Sequence, residues 1–199
     1  MVTQNGLIKK TSLEDFKNIR RTGIIAIALK KGDLLRWVRM SGGKDQVLLA
    51  TALGQSIRFK ESQIRAMGRT AAGVKAIRLK KGDSVAGFDI IKEADVAQAK
   101  TFKFLVVMAN GFAKQTALGQ YKVQSRGGSG IKTAKITSKT GNLVAGKILT
   151  SEEEILALSA KGQVIKTKLS GVRNTGRAAQ GVRIMNLNSG DRLAGVVVI

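Results

Sequence analysis

Short apolar runs alternate with compact turn clusters along the whole chain, and the runs resemble one another. "VLLAT" (47–51), "FLVVMA" (104–109) and "ILALSA" (155–160) are continuous apolar stretches of strand length. Each is followed by a glycine-centred turn and then by a second run, such as "SIRFK" (56–60), in which polar and apolar residues alternate. Val, Ile and Leu dominate these segments, and Gly-Asp, Asn-Gly or Gly-Asn pairs bound them, as in hairpin strands. The second copy adds "GVKAIRL" (73–79) and "VAGFDII" (85–91). No apolar run approaches the ~18–20 residues of a membrane-spanning helix. The pattern predicts an all-β chain.

Three landmarks recur four times each, in constant order. A turn after an apolar run reads "QNGLIKKT", "ALGQSIRF", "ANGFAKQT" and "AKGQVIKT", with glycines at Gly6, Gly54, Gly111 and Gly162. A glycine opening a short apolar strand follows at Gly23, Gly73, Gly130 and Gly181. The third landmark, "KGDLL", "KGDSVAG", "TGNLVAG" and "SGDRLAG", places Gly32, Gly82, Gly141 and Gly190. Three signals sharing one spacing mark a repeat of ~50 residues. The longer step into the third copy comes mostly from "KEADVAQAK" (92–100).

Each unit reads as four antiparallel strands, the size of a propeller blade. Seven-stranded sandwiches need more chain than ~50 residues supply. The expected architecture is all-β: one propeller-like fragment over 1–199, with blades near 1–44, 45–94, 95–152 and 153–199. "MVTQNG" holds only the tail of a first strand, so a piece of a longer protein, cut inside a blade, is expected. "GVVVI" stops where a further blade would begin, and ring closure stays open.

Charge then narrows the function. Lys and Arg outnumber Asp and Glu by 35 to 13, a net charge of +22. Such an excess costs self-repulsion and points to a polyanionic partner. The basic residues fall in register. Lys10, Arg58 and Lys166 lie four residues after the first-landmark glycines. Arg69, Arg126 and Arg177 lie four before the second, with Arg20 one place off in the first copy. Lys75, Lys132 and Arg183 lie two after it, with Ile25 as the exception. The recurring element is R-x-x-x-G-[VI]-[KR]. One such stripe per blade predicts a positive rim, suited to a curved polyanion held through its phosphates.

Other chemistry recedes. With no Cys and no His, thiol and imidazole catalysis, disulfides and Cys/His zinc sites are excluded. Lysine or carboxylate chemistry stays open, but no nucleophile–base constellation suggests it, and no cofactor or metal is expected. Glu152–Glu154 reads as a solvated connection. Aromatics are only 4% of the chain, too few to interleave with bases. Tyr121 aligns with Phe16, Ile64 and Val172 and is expected in the core, as is Trp37, aligned with Phe88. "QSRGGSG" (124–130) lacks the lysine and helix of a phosphate-binding loop.

"NGLIKKT", "IRAMGRTAAGVKAIRLKKGDSVAGFDII", "YKVQSRGGSGIKTAKIT" and "GRAAQGVRIM" resemble the C-terminal β-pinwheel domains of bacterial DNA gyrase A proteins, over essentially the entire chain. That resemblance implies a six-bladed parent whose last four blades are present here, strands exchanged between neighbours, and duplex DNA wrapped around a basic outer edge. It implies partners in the rest of the gyrase heterotetramer: the missing N-terminal part of gyrase A, and gyrase B. The family's diagnostic box, Gln-basic-Arg-Gly-Gly-basic-Gly, belongs to its first blade. "QSRGGSG" is a related later copy, with Ser125 and Ser129 at the basic places and Arg126 retained. The cleavage tyrosine, its arginine partner and the metal-binding module lie outside this sequence, so no catalysis is assigned to it.

The sequence thus predicts sequence-independent binding and bending of duplex DNA. A topoisomerase IV C-terminal domain and a propeller serving as a protein-docking platform are the alternatives. The N-terminus lacks the apolar core of a signal peptide, so a cytoplasmic, nucleoid-associated location is expected, without a membrane.

Overall fold

The computed structural model describes residues 1–199 and contains fifteen strands, five short 3-10 turns and no α-helix. The first repeat supplies β1 (Val2–Thr3), β2 (Leu7–Ile8) and β3 (Leu35–Trp37). The second supplies β4 (Gln46–Thr51), β5 (Gln55–Lys60), β6 (Val74–Lys75) and β7 (Val85–Ile91). The third supplies β8 (Lys103–Met108), β9 (Phe112–Ala117), β10 (Ile131–Lys132) and β11 (Leu143–Leu149), and the fourth β12 (Glu154–Ser159), β13 (Val164–Lys168), β14 (Val182–Arg183) and β15 (Leu193–Val198).

These strands form four antiparallel sheets, but the sheets do not coincide with the repeats. Their orders are β3-β1-β2-β6, β7-β4-β5-β10, β11-β8-β9-β14 and β15-β12-β13. In the first three sheets the outermost strand comes from the following repeat. "GVKAIRL" therefore does not complete the second repeat's own sheet. Its Val74 and Lys75 pair with Ile8 and Leu7 of the first. Likewise Ile131 and Lys132 pair with Ser56 and Gln55, and Val182 and Arg183 with Ala113 and Phe112. The fourth sheet has three strands, with β13 at its edge.

All twelve landmark glycines have positive φ, between 67° and 93°. Gly73 shows why a side chain is excluded there. Its φ is +93°, and an added Cβ would lie 2.6 Å from the carbonyl oxygen of Ile8 in the preceding sheet. The residue turns the chain and lets two backbones meet across a sheet boundary. Gly23, its counterpart in the first repeat, has nothing within 4 Å.

Three apolar cores fill the three spaces between consecutive sheets. Val47 and Leu49 of β4 enter the first core with Ile8, Phe59 and Phe88, while Leu48 and Ala50 enter the second with Phe104, Val106 and Met108. Leu105 and Val107 of β8 face the third, against Ile155 and Ala157. Period-2 alternation places successive residues on opposite faces, and both faces are covered. That is why these runs are apolar throughout. On the outer face of the last sheet, Leu158, Val164 and Val197 are exposed.

At the first sheet, a cavity of about 530 Å³ opens beside Met1, lined by Ile8, Leu13, Phe16, Val38, Met40 and Val47 among others. The inner strands β3, β7, β11 and β15 line a second cavity of about 330 Å³, so all four sheets point their inner edges at one axial space. Trp37 lies here. It pairs with Val2 as Gly87 pairs with Ala50, so its counterpart is Gly87 and not Phe88. It is half-buried, packing on the edge of the first core. Tyr121 is fully buried as expected, edge-on to Phe104 at 5.4 Å and hydrogen-bonded to Thr133 Oγ1 at 2.7 Å.

A second inter-sheet device sits four residues after the first-landmark glycine in the first three repeats. Arg58 is buried, only 8% exposed. Its Nε donates to Gln46 Oε1 at 2.8 Å, and Nη1 reaches the carbonyls of Leu118 and Tyr121 in the next repeat's 3-10 turn. Gln115 makes the same forward reach to the Leu169 carbonyl, and Lys10 to the Glu61 carboxylate at 3.4 Å. The sequence places Arg58 on the rim; the structure makes it an internal latch instead. The +4 side chain on the outer hairpin strand faces the incoming turn, whose carbonyls need donors.

Gly73→Ala should lower stability by about 3 kcal/mol in urea unfolding. Gly82→Ala, at φ +77° in open space, should cost only the left-handed strain, about 1–2 kcal/mol. Arg58→Ala leaves buried carbonyls unpaired and should cost about 2–4 kcal/mol, while the exposed Arg183→Gln stays within about 0.5 kcal/mol.

Candidate nucleic-acid interface

Because β6, β10 and β14 are the outermost strands, Lys75, Lys132 and Arg183 stand as far as the sheets allow from the axial cavity. Neighbouring strands are ~4.8 Å apart, so each lies roughly 14 Å out from its sheet's inner strand. All three side chains are exposed. The glycine before each strand fixes its entry, and Val74 and Ile131, between glycine and cation, pack on the first and second cores.

The arginines are tied to the same strands from the other side of the boundary. Arg126 Nη1 donates to the carbonyl of Lys75, and Arg177 Nη1 to that of Lys132 at 3.1 Å. In the first junction Arg69 Nη1 donates to Ile25, the counterpart of those lysines, at 3.2 Å. Arg126 and Arg177 thus cap the cationic strand of the preceding repeat, and Arg69 holds the corresponding backbone position of the first. The outcome is a continuous basic ladder, Arg69–Lys75–Arg126–Lys132–Arg177–Arg183, running across the sheet boundaries.

Unlike much surface charge, this ladder is free of carboxylates. The ion pairs of the chain involve Lys10, Lys17, Arg39, Lys44, Lys92 and Lys166, none of them a ladder residue. Arg183 lies over the ring of Phe112 at 5.2 Å, which stiffens its stem without neutralising it. The remaining expected residues are placed differently. Lys10 pairs with Glu61 and Lys166 with Glu154 at 2.6 Å, so both are partly neutralised. Arg20 is exposed on the first repeat's irregular segment, outside the ladder.

"QSRGGSG" is docked on the preceding repeat. The backbone N–H of Arg126 donates to Gln63 Oε1, and its Nε donates to the Gln63 carbonyl; Gly127 N–H donates to Ala76, and Gly128 accepts from Arg78 N–H. The Glu152 carboxylate accepts from the backbone N–H groups of Thr150 and Ser151, bracing the turn between the third and fourth repeats.

One cationic register is missing from the sequence reading. Lys17, Arg65, Lys122 and Arg173 lie eleven residues after Gly6, Gly54, Gly111 and Gly162, basic in every copy and all exposed. Arg65, Lys122 and Arg173 each precede a ladder arginine by four residues. The same glycine alignment that found the other registers would have shown it.

None of the eight aromatic side chains is exposed. The surface has no platform for stacking bases, and what it offers is rows of guanidinium and ammonium groups. Those groups recognise phosphate oxygens by charge-assisted hydrogen bonds and do not distinguish bases.

Comparison with known proteins also finds four intervals along the chain. A family model described as "DNA gyrase C-terminal domain, beta-propeller" matches residues 1–41, 45–92, 109–149 and 153–199, one interval per repeat. The DNA gyrase A protein of Staphylococcus epidermidis (strain ATCC 12228 / FDA PCI 1200) is 40% identical over 197 residues, covering 99% of this chain and 22% of that protein. The chain therefore spans about a fifth of the length of that curated relative. Among solved structures, a DNA gyrase A C-terminal domain superposes with a TM-score of 0.85 at 24% identity, covering 99% of this chain and 64% of the other. A DNA topoisomerase IV C-terminal domain superposes at 0.90, also at 24% identity, covering 100% and 60%. With its four repeats each matched and its strand-exchanged sheets sharing that architecture, the chain belongs to the DNA gyrase C-terminal domain, beta-propeller family.

Proposed function

We propose that this chain binds duplex DNA without regard to sequence and bends it along the outer rim, as the non-catalytic accessory part of a type IIA topoisomerase of the gyrase kind. The observation that carries this reading is the ladder of cations on the outermost strands and the loops beside them, without carboxylate partners and repeated at each sheet boundary. A duplex following it would meet a pair of cations per repeat. Bending 20–30 bp smoothly costs roughly 1–6 kcal/mol, an amount several charge-assisted phosphate contacts offset. The 40% identity to gyrase A relatives favours gyrase over topoisomerase IV as the parent enzyme. On that reading the partners are the remainder of gyrase A together with gyrase B, the location is the cytoplasm at the nucleoid, and the blades divide near 1–44, 45–94, 95–152 and 153–199.

Fluorescence anisotropy with a duplex of about 40 bp tests the proposal. With ~6–10 phosphates neutralised, affinity should fall ~10³–10⁵-fold between 50 and 200 mM salt. Replacing Arg69, Lys75, Arg126 and Lys132 together by Gln should weaken binding and flatten that salt dependence, with far-UV circular dichroism unchanged. Salt-independent binding, or an unaltered dissociation constant in the fourfold variant, would remove the rim as the binding surface.

A further inference from the structure

Two lysines bury their ammonium groups at the sheet boundaries. Lys9 is 1% exposed and Lys114 is 0% exposed, and no carboxylate lies within ion-pair distance of either. Most of their partners are carbonyls of the loop that carries the next repeat's ladder arginine. Four carbonyls share the three N–H groups of Lys9 Nζ: Gly68 at 2.8 Å, Arg69, Ala71 at 3.1 Å, and Ala26 of its own repeat at 2.9 Å. Lys114 Nζ donates to Gly176 at 2.8 Å and Arg177 at 2.6 Å, with Thr116 Oγ1 at 3.2 Å as its third acceptor. Burial, joined by the Arg177 charge, pulls the Lys114 ammonium down to about 8. A cation is expensive to bury without a counter-charge, and these loop carbonyls are what compensates it.

The position lies three residues after the first-landmark glycine, and its copies alternate: Lys9, Ile57, Lys114, Ile165. The loops seated on the first three change in step. Over the lysines stand "GRTAAG" (68–73) and "GRAAQG" (176–181), each closed by a turn from Ala71 N–H to Gly68 or from Ala179 N–H to Gly176. In both, only the final glycine has positive φ. Over Ile57 stands "RGGSG" (126–130), where Gly127 takes φ +82° and Gly128 packs near the Ile57 side chain. One chain therefore holds two loop conformations, matched to two kinds of floor.

We propose that Lys9 and Lys114 are positioning residues for the rim: each ammonium gathers the carbonyls of the loop above it and so fixes the backbone from which Arg69 or Arg177 joins the ladder. Neither lysine can touch a phosphate itself. Their effect on DNA rests on the duplex-binding reading; their hold on the loops does not.

Two readouts on the 199-residue chain separate these. In hydrogen exchange followed by mass spectrometry, Lys114→Met should speed exchange in 176–181 and leave 126–130 unchanged. In anisotropy with the 40-bp duplex, Lys114→Met should weaken binding about as much as Arg177→Gln, roughly tenfold. The double variant should be no weaker than Arg177→Gln alone. A matched replacement, Lys114→Ile with Ala178→Gly, Ala179→Gly and Gln180→Ser, copies the Ile57 floor with its own loop and should return both readouts toward the parent chain. Unchanged exchange in Lys114→Met, multiplicative losses in the double variant, or failure of the matched replacement would each overturn the proposal. Faster exchange in a chain that binds no duplex at all would sink the DNA reading and leave the loop anchor standing.

Discussion

A sheet of three strands leaves two edges of backbone N–H and C=O groups unpaired, and in the first three sheets the next repeat covers the outer one with only two residues. The dipeptides Val74-Lys75, Ile131-Lys132 and Val182-Arg183 each close the sheet before their own. So short a strand contributes little pairing by itself. It holds because a positive-φ glycine delivers it and the +4 side chain of the receiving strand latches the following turn; at Lys75 and Lys132 an arginine also caps the carbonyl. Bare strand edges invite pairing with other chains. Here the repeat uses that tendency internally, and neighbouring sheets cannot separate without breaking a strand.

The same exchange decides where the charge goes. A cation on a strand that ends its own sheet would sit wherever that sheet turned. On a strand donated outward it lies at the perimeter, beside an arginine from the next repeat. Six cations are held in line by backbone hydrogen bonds, with the carboxylates placed elsewhere. The acids, outnumbered 35 to 13, concentrate on turns and latches. Asp45 is one, accepting from the Gly42 and Glu93 N–H groups and from Lys92. Those hydrogen bonds outweigh its burial and hold its carboxyl below the usual range.

Much of this is legible in the chain. The glycine landmarks are readable because left-handed backbone and close backbone approach leave glycine as the residue of choice, and all twelve adopt positive φ. The registers of Lys75, Lys132, Arg126 and Arg177 follow from them. What stays hidden is the direction of side chains and the partner of each strand. "GVKAIRL" has the pattern of a strand, but pattern does not say which sheet receives it. Arg58 looks like its surface neighbours, because a buried latch and a rim cation share one residue type. Aromatic character aligns Trp37 with Phe88, a slip of one place, and one place on a strand changes the face. Lys9 and Lys114 carry no signal as anchors until their carbonyl partners are seen.

On the proposed reading, strand exchange arrays cations into a curved perimeter which a duplex follows through its phosphates. Hydroxyl-radical footprinting of an end-labelled duplex bound to this chain tests it most directly. Protection should recur on one face of the helix about every 10 bp, independent of base sequence, and should lose a segment when Lys132 and Arg177 are both changed to Gln. Protection confined to one sequence, or continuous around the helix without that periodicity, would contradict the account.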